Sequence, residues 1–130
     1  MGKNLKKLGE AELEIMQVIW SEEPPMTSVA IHKKLKDLRG WPLSTLMTSL
    51  SRLEDKGYVV CERLSGSNLY MAAVSENDYK AGATESFLKK LYNNSARSLV
   101  AALYDNKLLR EDDIKELREY LDRLEREYRD

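Results

Sequence analysis

Ser44, Thr45, Thr48, Ser49 and Arg52 recur through the stretch WPLSTLMTSLSRLEDKG, which runs from Trp41 to Gly57. Leu43, Leu46, Leu50 and Leu53 are interleaved with them at spacings of 3, 4 and 3, which is the stripe of one helical face. The other face therefore carries short hydroxyls, with almost no long charged side chain before Glu54. Ordinary surface helices prefer Glu and Lys, which are better helix formers than Ser or Thr. A low hydroxyl face suits close approach to a groove floor. There a threonine offers its hydroxyl to a base or phosphate and its methyl to thymine. Arg52 and Lys56 follow one and two turns later, placed for phosphate.

Other chemistry is poorly provided for. The chain has one histidine, His32, and one cysteine, Cys61, with nothing local that would pair them for nucleophilic catalysis. His32 reads as an exposed or partly buried helix residue, and Cys61 as a small apolar strand residue. The acids at 111–113 read as a helix start rather than a ligand set. The six glycines are scattered and form no phosphate-binding loop. An enzyme, a metal site and a cofactor are not expected.

Charge is distributed unevenly. The net charge is −1, but residues 26–63 hold seven Lys/Arg against four acids, whereas residues 75–130 hold eleven against thirteen. A partner of phosphate backbones needs a basic face rather than a basic protein. At 42% hydrophobic and 33% charged, the 130 residues suffice for a small domain with an appended helical piece. No apolar run approaches the roughly 18–20 residues of a membrane span, so membrane insertion is not expected. A lone cysteine cannot form an intrachain disulfide and suits a cytoplasmic location.

The elements that must position the hydroxyl face follow from periodicity and punctuation. A first helix is expected over about Glu10 to Ser21, stopped by EEPP. Thr27 reads as the N-cap of a second helix with Val29, Ile31, Leu35 and Leu38 facing inward. RGWP makes the turn into the third helix, whose leucines 43, 46, 50 and 53 are expected inside, and Gly57 ends it. YVVCERL and LYMAAV then flank SGSN as a two-stranded hairpin, with Ser67 and Asn68 in its tight turn. Three helices and a hairpin in this order are the layout of a winged helix-turn-helix. Beyond Ser75 the pattern is helical, broken at Asn93–Asn94. The last segment sets Ile114, Leu117, Leu121, Leu124 and Tyr128 at spacings of 3, 4, 3 and 4, a short heptad seam.

With those residues in place the sequence resembles the BlaI/MecI family of penicillinase and methicillin-resistance repressors, which includes the copper-responsive CopY repressors. The resemblance is carried by LGEAELEIMQVIW, TLMTSLSRLEDKGYV, LYMAAVSENDYK and SLVAALYDNKLLREDDIKELREYL, and spans Leu8 to about Leu124. It implies a dimeric winged-helix repressor on palindromic operators, with Leu99, Val100 and Leu103 joining the heptad residues in the dimer contact. Thr45, Thr48 and Arg52 match the family's recognition-helix pattern. Ser44 and Met47 stand where relatives often have basic residues, and Pro42 where they have serine. The antibiotic-responsive relatives are cleaved by a membrane sensor-protease at an Asn-Phe bond that aligns with Ala102–Leu103. The cysteine pairs of the copper-responsive branch are missing from this tail.

The expectation is thus a mainly α (α+β) protein. Residues 1–74 form a winged helix-turn-helix DNA-binding domain, and residues 75–130 a helical dimerisation domain. Double-stranded DNA is met by Ser44, Thr45, Thr48, Ser49, Arg52, Lys56, Lys33, Lys34, Arg63, Ser67 and Asn68. The function expected is repression as a homodimer on an inverted repeat. The alternative is a winged-helix module that binds other proteins and has no DNA role.

Overall fold

The structure is a computed structural model and describes residues 6–129. The side chains of Leu38 and Arg39 lie outside the described residues, and with them the inward placement expected of Leu38. The chain forms two units, the first running to Ala83 and the second from Thr84.

The first unit is built from α1 (Glu10–Ser21), β1 (Met26–Thr27), α2 (Ser28–Arg39), α3 (Leu43–Asp55), β2 (Val59–Leu64) and β3 (Ser67–Ala72). The sheet is antiparallel with order β1-β3-β2. β1 adds a third strand to the expected hairpin, pairing Met26 with Tyr70 and Thr27 with Leu69. Two residues are too short to show an alternating pattern, so β1 has no periodic signature of its own. α4 (Glu76–Tyr92) leaves the sheet and continues into the second unit, followed by α5 (Ala96–Asp105) and α6 (Glu111–Arg129).

Caps set the helix ends. Thr27 Oγ1 accepts the Ala30 N–H at 3.0 Å, as an N-cap should. At the end of α3, Gly57 takes φ +85°, a left-handed conformation that glycine adopts without a Cβ penalty. The Tyr58 N–H reaches Leu53 O at 2.9 Å and the Gly57 N–H reaches Glu54 O at 3.0 Å, the paired bonds of a Schellman motif. That stop turns Tyr58 inward, where it is fully buried and opens the chain into β2.

The core lies where three helices meet one face of the sheet. Ile15, Met16 and Ile19 of α1 join Ile31 and Leu35 of α2, Leu46, Leu50 and Leu53 of α3, and Tyr58, Val59 and Tyr70. Tyr79, on the first turn of α4, sits against this core with its ring 5.8 Å from Trp20 and 5.9 Å from Tyr58. The Trp20 indole donates to Val74 O at 2.9 Å, fixing the chain where it leaves β3.

Two inward expectations and one turn assignment need correction. Leu43 is 48% exposed, because it opens α3 and the leucine stripe runs past the core there. Val29 is 67% exposed, since Ala30 and Ile31 take the inner positions of the first turn of α2. The hairpin turn is made by Ser65 and Gly66, the latter at φ +91°, so Ser67 and Asn68 belong to β3 and pair with Leu64 and Arg63.

The second unit is organised differently. Among the described residues none beyond Val74 is buried. Phe87, Leu91, Val100, Tyr104, Leu108, Leu117, Tyr120, Leu121 and Tyr128 are all substantially exposed. α5 carries its own N-cap, Ser95 Oγ accepting the Ser98 N–H at 3.1 Å. α6 begins at the three acids 111–113, which suit the positive end of the helix dipole.

Candidate nucleic-acid interface

α3 is held on the first unit by its leucines, and burial of Leu46, Leu50 and Leu53 fixes which face points out. Ser44, Thr45, Thr48 and Arg52 lie on that outer face and are exposed. Ser49 does not. It is 9% exposed, because the position three residues after Leu46 falls on the flank of the leucine stripe. Ser51, two turns after Ser44, is exposed and completes the hydroxyl row instead. A helical wheel centred on the buried leucines rather than on residue type would have found it.

Thr48 Oγ1 donates back to Ser44 O at 3.0 Å. With its proton committed within the helix, Thr48 presents a methyl and free acceptor lone pairs outward. Pro42 is the N-cap of α3 and offers no side-chain oxygen, so the first turn has no side-chain cap. Met47 is half-buried and packs against the core. At the start of α3 the His32 Nε2–H donates to Trp41 O at 2.8 Å, which fixes the ring's tautomer and ties α2 to the turn before α3. The lone histidine therefore has a structural task in mounting α3, one that its sequence position alone does not reveal.

The basic residues fall into two groups. Lys33 is exposed. Lys34 reaches Glu22 at 3.4 Å with its side chain 54% exposed, and Arg63 forks onto Glu54 at 2.9 and 3.3 Å with its side chain 65% exposed. Exposed pairs of this kind are weak. Arg52 is exposed and makes no ion pair among the described residues.

Lys56 is the exception. Its ammonium lies 2.6 Å from Glu12 Oε1 and 3.0 Å from Lys7 O, with the side chain only 26% exposed. Expected on phosphate, it is instead bound within its own domain, to a carboxylate 44 residues away. Glu12 was not singled out by sequence. Its position three residues after Gly9 is that of a capping-box acid, and its Oε1 accepts the Gly9 N–H at 2.8 Å.

Burial acts to raise the Glu12 carboxyl, but the Lys56 ammonium and the Gly9 N–H outweigh it and hold it below its ordinary value. The carboxylate therefore contributes stability above the ordinary carboxylate pKa, and loses it as pH falls through the depressed folded value. Glu12→Gln is expected to lower Tm at pH 7. The difference from wild type should shrink steadily as the pH of the melt is taken from 5 toward 3. Differential scanning calorimetry across that range checks this, and a gap that widens in acid would contradict it.

Among the described residues no group of three or more His, Cys, Asp or Glu side chains could hold a metal, and no helix is long and apolar enough to cross a membrane. The sequence profile described as penicillinase repressor matches residues 8–123, nearly the whole chain. The chain belongs to the penicillinase repressor family. It is 32% identical to the penicillinase repressor of Bacillus licheniformis over 92% of this chain and 93% of that protein. It is 28% identical to the methicillin resistance regulatory protein MecI of Mammaliicoccus sciuri over 95% of this chain and 99% of that protein. Among solved structures it is similar to the monomeric form of Bacillus licheniformis BlaI in complex with the blaP half-operator. That match has a TM-score of 0.51 at 29% identity, and covers 60% of this chain and 94% of that chain. For a penicillinase repressor family member, the three helices and antiparallel sheet of the first unit are the winged-helix fold, with α3 as second helix of the helix-turn-helix.

Proposed function

We propose that this chain is a transcriptional repressor that binds an inverted-repeat DNA operator as a homodimer, reading bases with α3. The observation that carries the proposal is the outer face of α3. It presents Ser44, Thr45, Thr48 and Arg52 from a helix whose roll is fixed by three buried leucines. A relative whose matching fold is bound to a half-operator supports the assignment to DNA rather than to protein. Short side chains early in the helix reach base edges, while Arg52, Lys33, Lys34 and Arg63 supply phosphate contacts that fix register.

The second unit supports the homodimer. α6 sets Ile114, Leu117, Leu121, Leu124 and Tyr128 along one side, and α5 adds Leu99, Val100 and Leu103; none of these side chains is buried. Helices whose apolar seam is only partly covered by their own chain gain further stability from a partner. A second copy is the partner that gives an inverted repeat its two readers.

The reading extends to release of the operator by a membrane sensor-protease that cuts at Ala102–Leu103. The bond lies in α5, where Ala102 O accepts both the Asn106 N–H at 3.1 Å and the Asn106 side-chain amide at 2.8 Å. The Leu108 N–H holds Leu103 O at 2.8 Å. A protease that needs extended chain meets a closed bond there while α5 stays folded.

Thr48→Ala tests the reading of bases. It removes both the outward methyl and the acceptor, and is expected to lose about 1–3 kcal/mol of discrimination at one base step. Fluorescence anisotropy against a panel of single-base operator variants measures this. Unchanged selectivity at every step would exclude Thr48 from readout.

A further inference from the structure

We infer that Glu12 and Lys56 are positioning residues for the DNA-reading helix, and that Lys56 is not one of its phosphate contacts. The inference rests on the proposed DNA function and deepens it. α3 is mounted at both ends. At its start the His32 ring holds Trp41 O at 2.8 Å; at its end Lys56, the C-cap residue, binds Glu12 and Lys7 O. The far side of that second mount is itself fixed. Glu12 is 7% exposed and bonded to the Gly9 N–H, so it is anchored at the start of α1. The Tyr58 hydroxyl donates to Lys6 O beside it, fastening the same segment a second time.

The lever arm explains why the end of the helix matters to its reading face. At a rise of about 1.5 Å per residue, Arg52 stands roughly 15 Å along the helix axis from the pivot at Trp41. A tilt of about 10° about that pivot moves Arg52 by some 2–3 Å, well outside the roughly 0.5 Å tolerance of a preorganised contact. Ser44 and Thr45, close to the pivot, move far less. Loosening the Glu12–Lys56 mount thus uncouples the phosphate register set by Arg52 from the bases read at the start of the helix. Complexes that need that register suffer, and complexes held only by general charge do not.

The two roles for Lys56 predict opposite signs at Glu12. If Lys56 were a phosphate ligand, removing Glu12 would free its ammonium and delete a competing negative charge, so DNA binding would tighten. If the pair positions α3, the same change weakens operator binding. The test uses the full chain and two duplexes: one selected by the wild-type chain from a random-sequence pool, and a scrambled control. Binding is titrated at several salt concentrations, and circular dichroism confirms the folded fraction. Glu12→Ala and Lys56→Met are each expected to weaken the selected duplex about tenfold. The scrambled duplex should be bound as in wild type, with the same slope of log affinity against log salt. The double variant should lose about as much as either single one, because both break the same mount.

A salt slope that drops by about one phosphate equivalent in Lys56→Met, with equal loss on both duplexes, would overturn the inference. So would tighter binding by Glu12→Ala. If Glu12→Ala does not fold, the isosteric Glu12→Gln gives the same sign test: weaker selected-duplex binding supports positioning, and tighter binding refutes it. A wild-type chain that selects no sequence overturns the DNA reading and this inference together. Selection by wild type with unaffected variants overturns only the inference.

Discussion

Replacing Leu121 with glutamate is expected to turn the chain from dimer to monomer and to cost about 10²–10⁴-fold in affinity for a two-half-site operator, while half-site affinity stays unchanged. Leu121 lies mid-way along the α6 seam and is 58% exposed within its own chain. A glutamate there costs the isolated chain little. Once a second copy covers the seam, the carboxylate must be buried without a partner, which dimerisation cannot offset. The operator effect then follows from geometry, since two linked readers convert the second half-site encounter into an intramolecular one. Analytical ultracentrifugation and anisotropy on full and half operators read the two halves of the prediction separately. A wild-type chain that sediments as a monomer at micromolar concentration would remove the dimer, and equal losses on both duplexes would point to damage in the first unit.

The second large effect lies in the core beneath the reading face. Leu50 is fully buried and sits between Leu46 and Leu53 on the stripe that seats α3. Leu50→Ala is expected to destabilise the first unit by about 2–5 kcal/mol, combining lost transfer energy with the cavity left behind. Set against a typical domain stability of about 5–15 kcal/mol, that brings the fold near its limit. Urea unfolding should show a lower midpoint at an unchanged slope. Leu43→Ala, two stripe positions earlier but 48% exposed, should cost far less. Similar losses at the two sites would mean that the stripe is seated differently.

These contrasts mark what could be read from residues alone. Helix ends were legible where local chemistry decides them: Thr27 caps α2 through its own hydroxyl, and Gly57 takes the left-handed turn that stops α3. The heptad of α6 was legible because its period is long enough to count. β1 was not, being two residues whose only reason to be a strand is the edge of β3. At the interface, residue type misled at Ser49, which resembles its exposed neighbours but falls on the flank of the leucine stripe. For Lys56 it did not show the partner that the fold brings to it, Glu12. The hydroxyl face itself survives in amended form, with Ser51 exposed and Ser49 withdrawn.

The departures from the family pattern also gain a physical meaning. Met47 packs against the core rather than standing free, and Pro42 leaves the first turn of α3 without a side-chain cap. On the proposed reading, fewer basic side chains then reach phosphate from this helix, and the salt dependence of binding is set by Arg52, Lys33, Lys34 and Arg63.

The measurement that bears most directly on the central claim is a salt-resolved anisotropy titration of the wild-type chain. It compares a duplex carrying an inverted repeat selected from a random pool with a scrambled duplex of equal length. A preference of roughly 10³-fold or more for the inverted repeat is expected, with affinity falling linearly in log salt on both duplexes. Equal affinity for the two duplexes, or no salt-dependent binding to either, would contradict it.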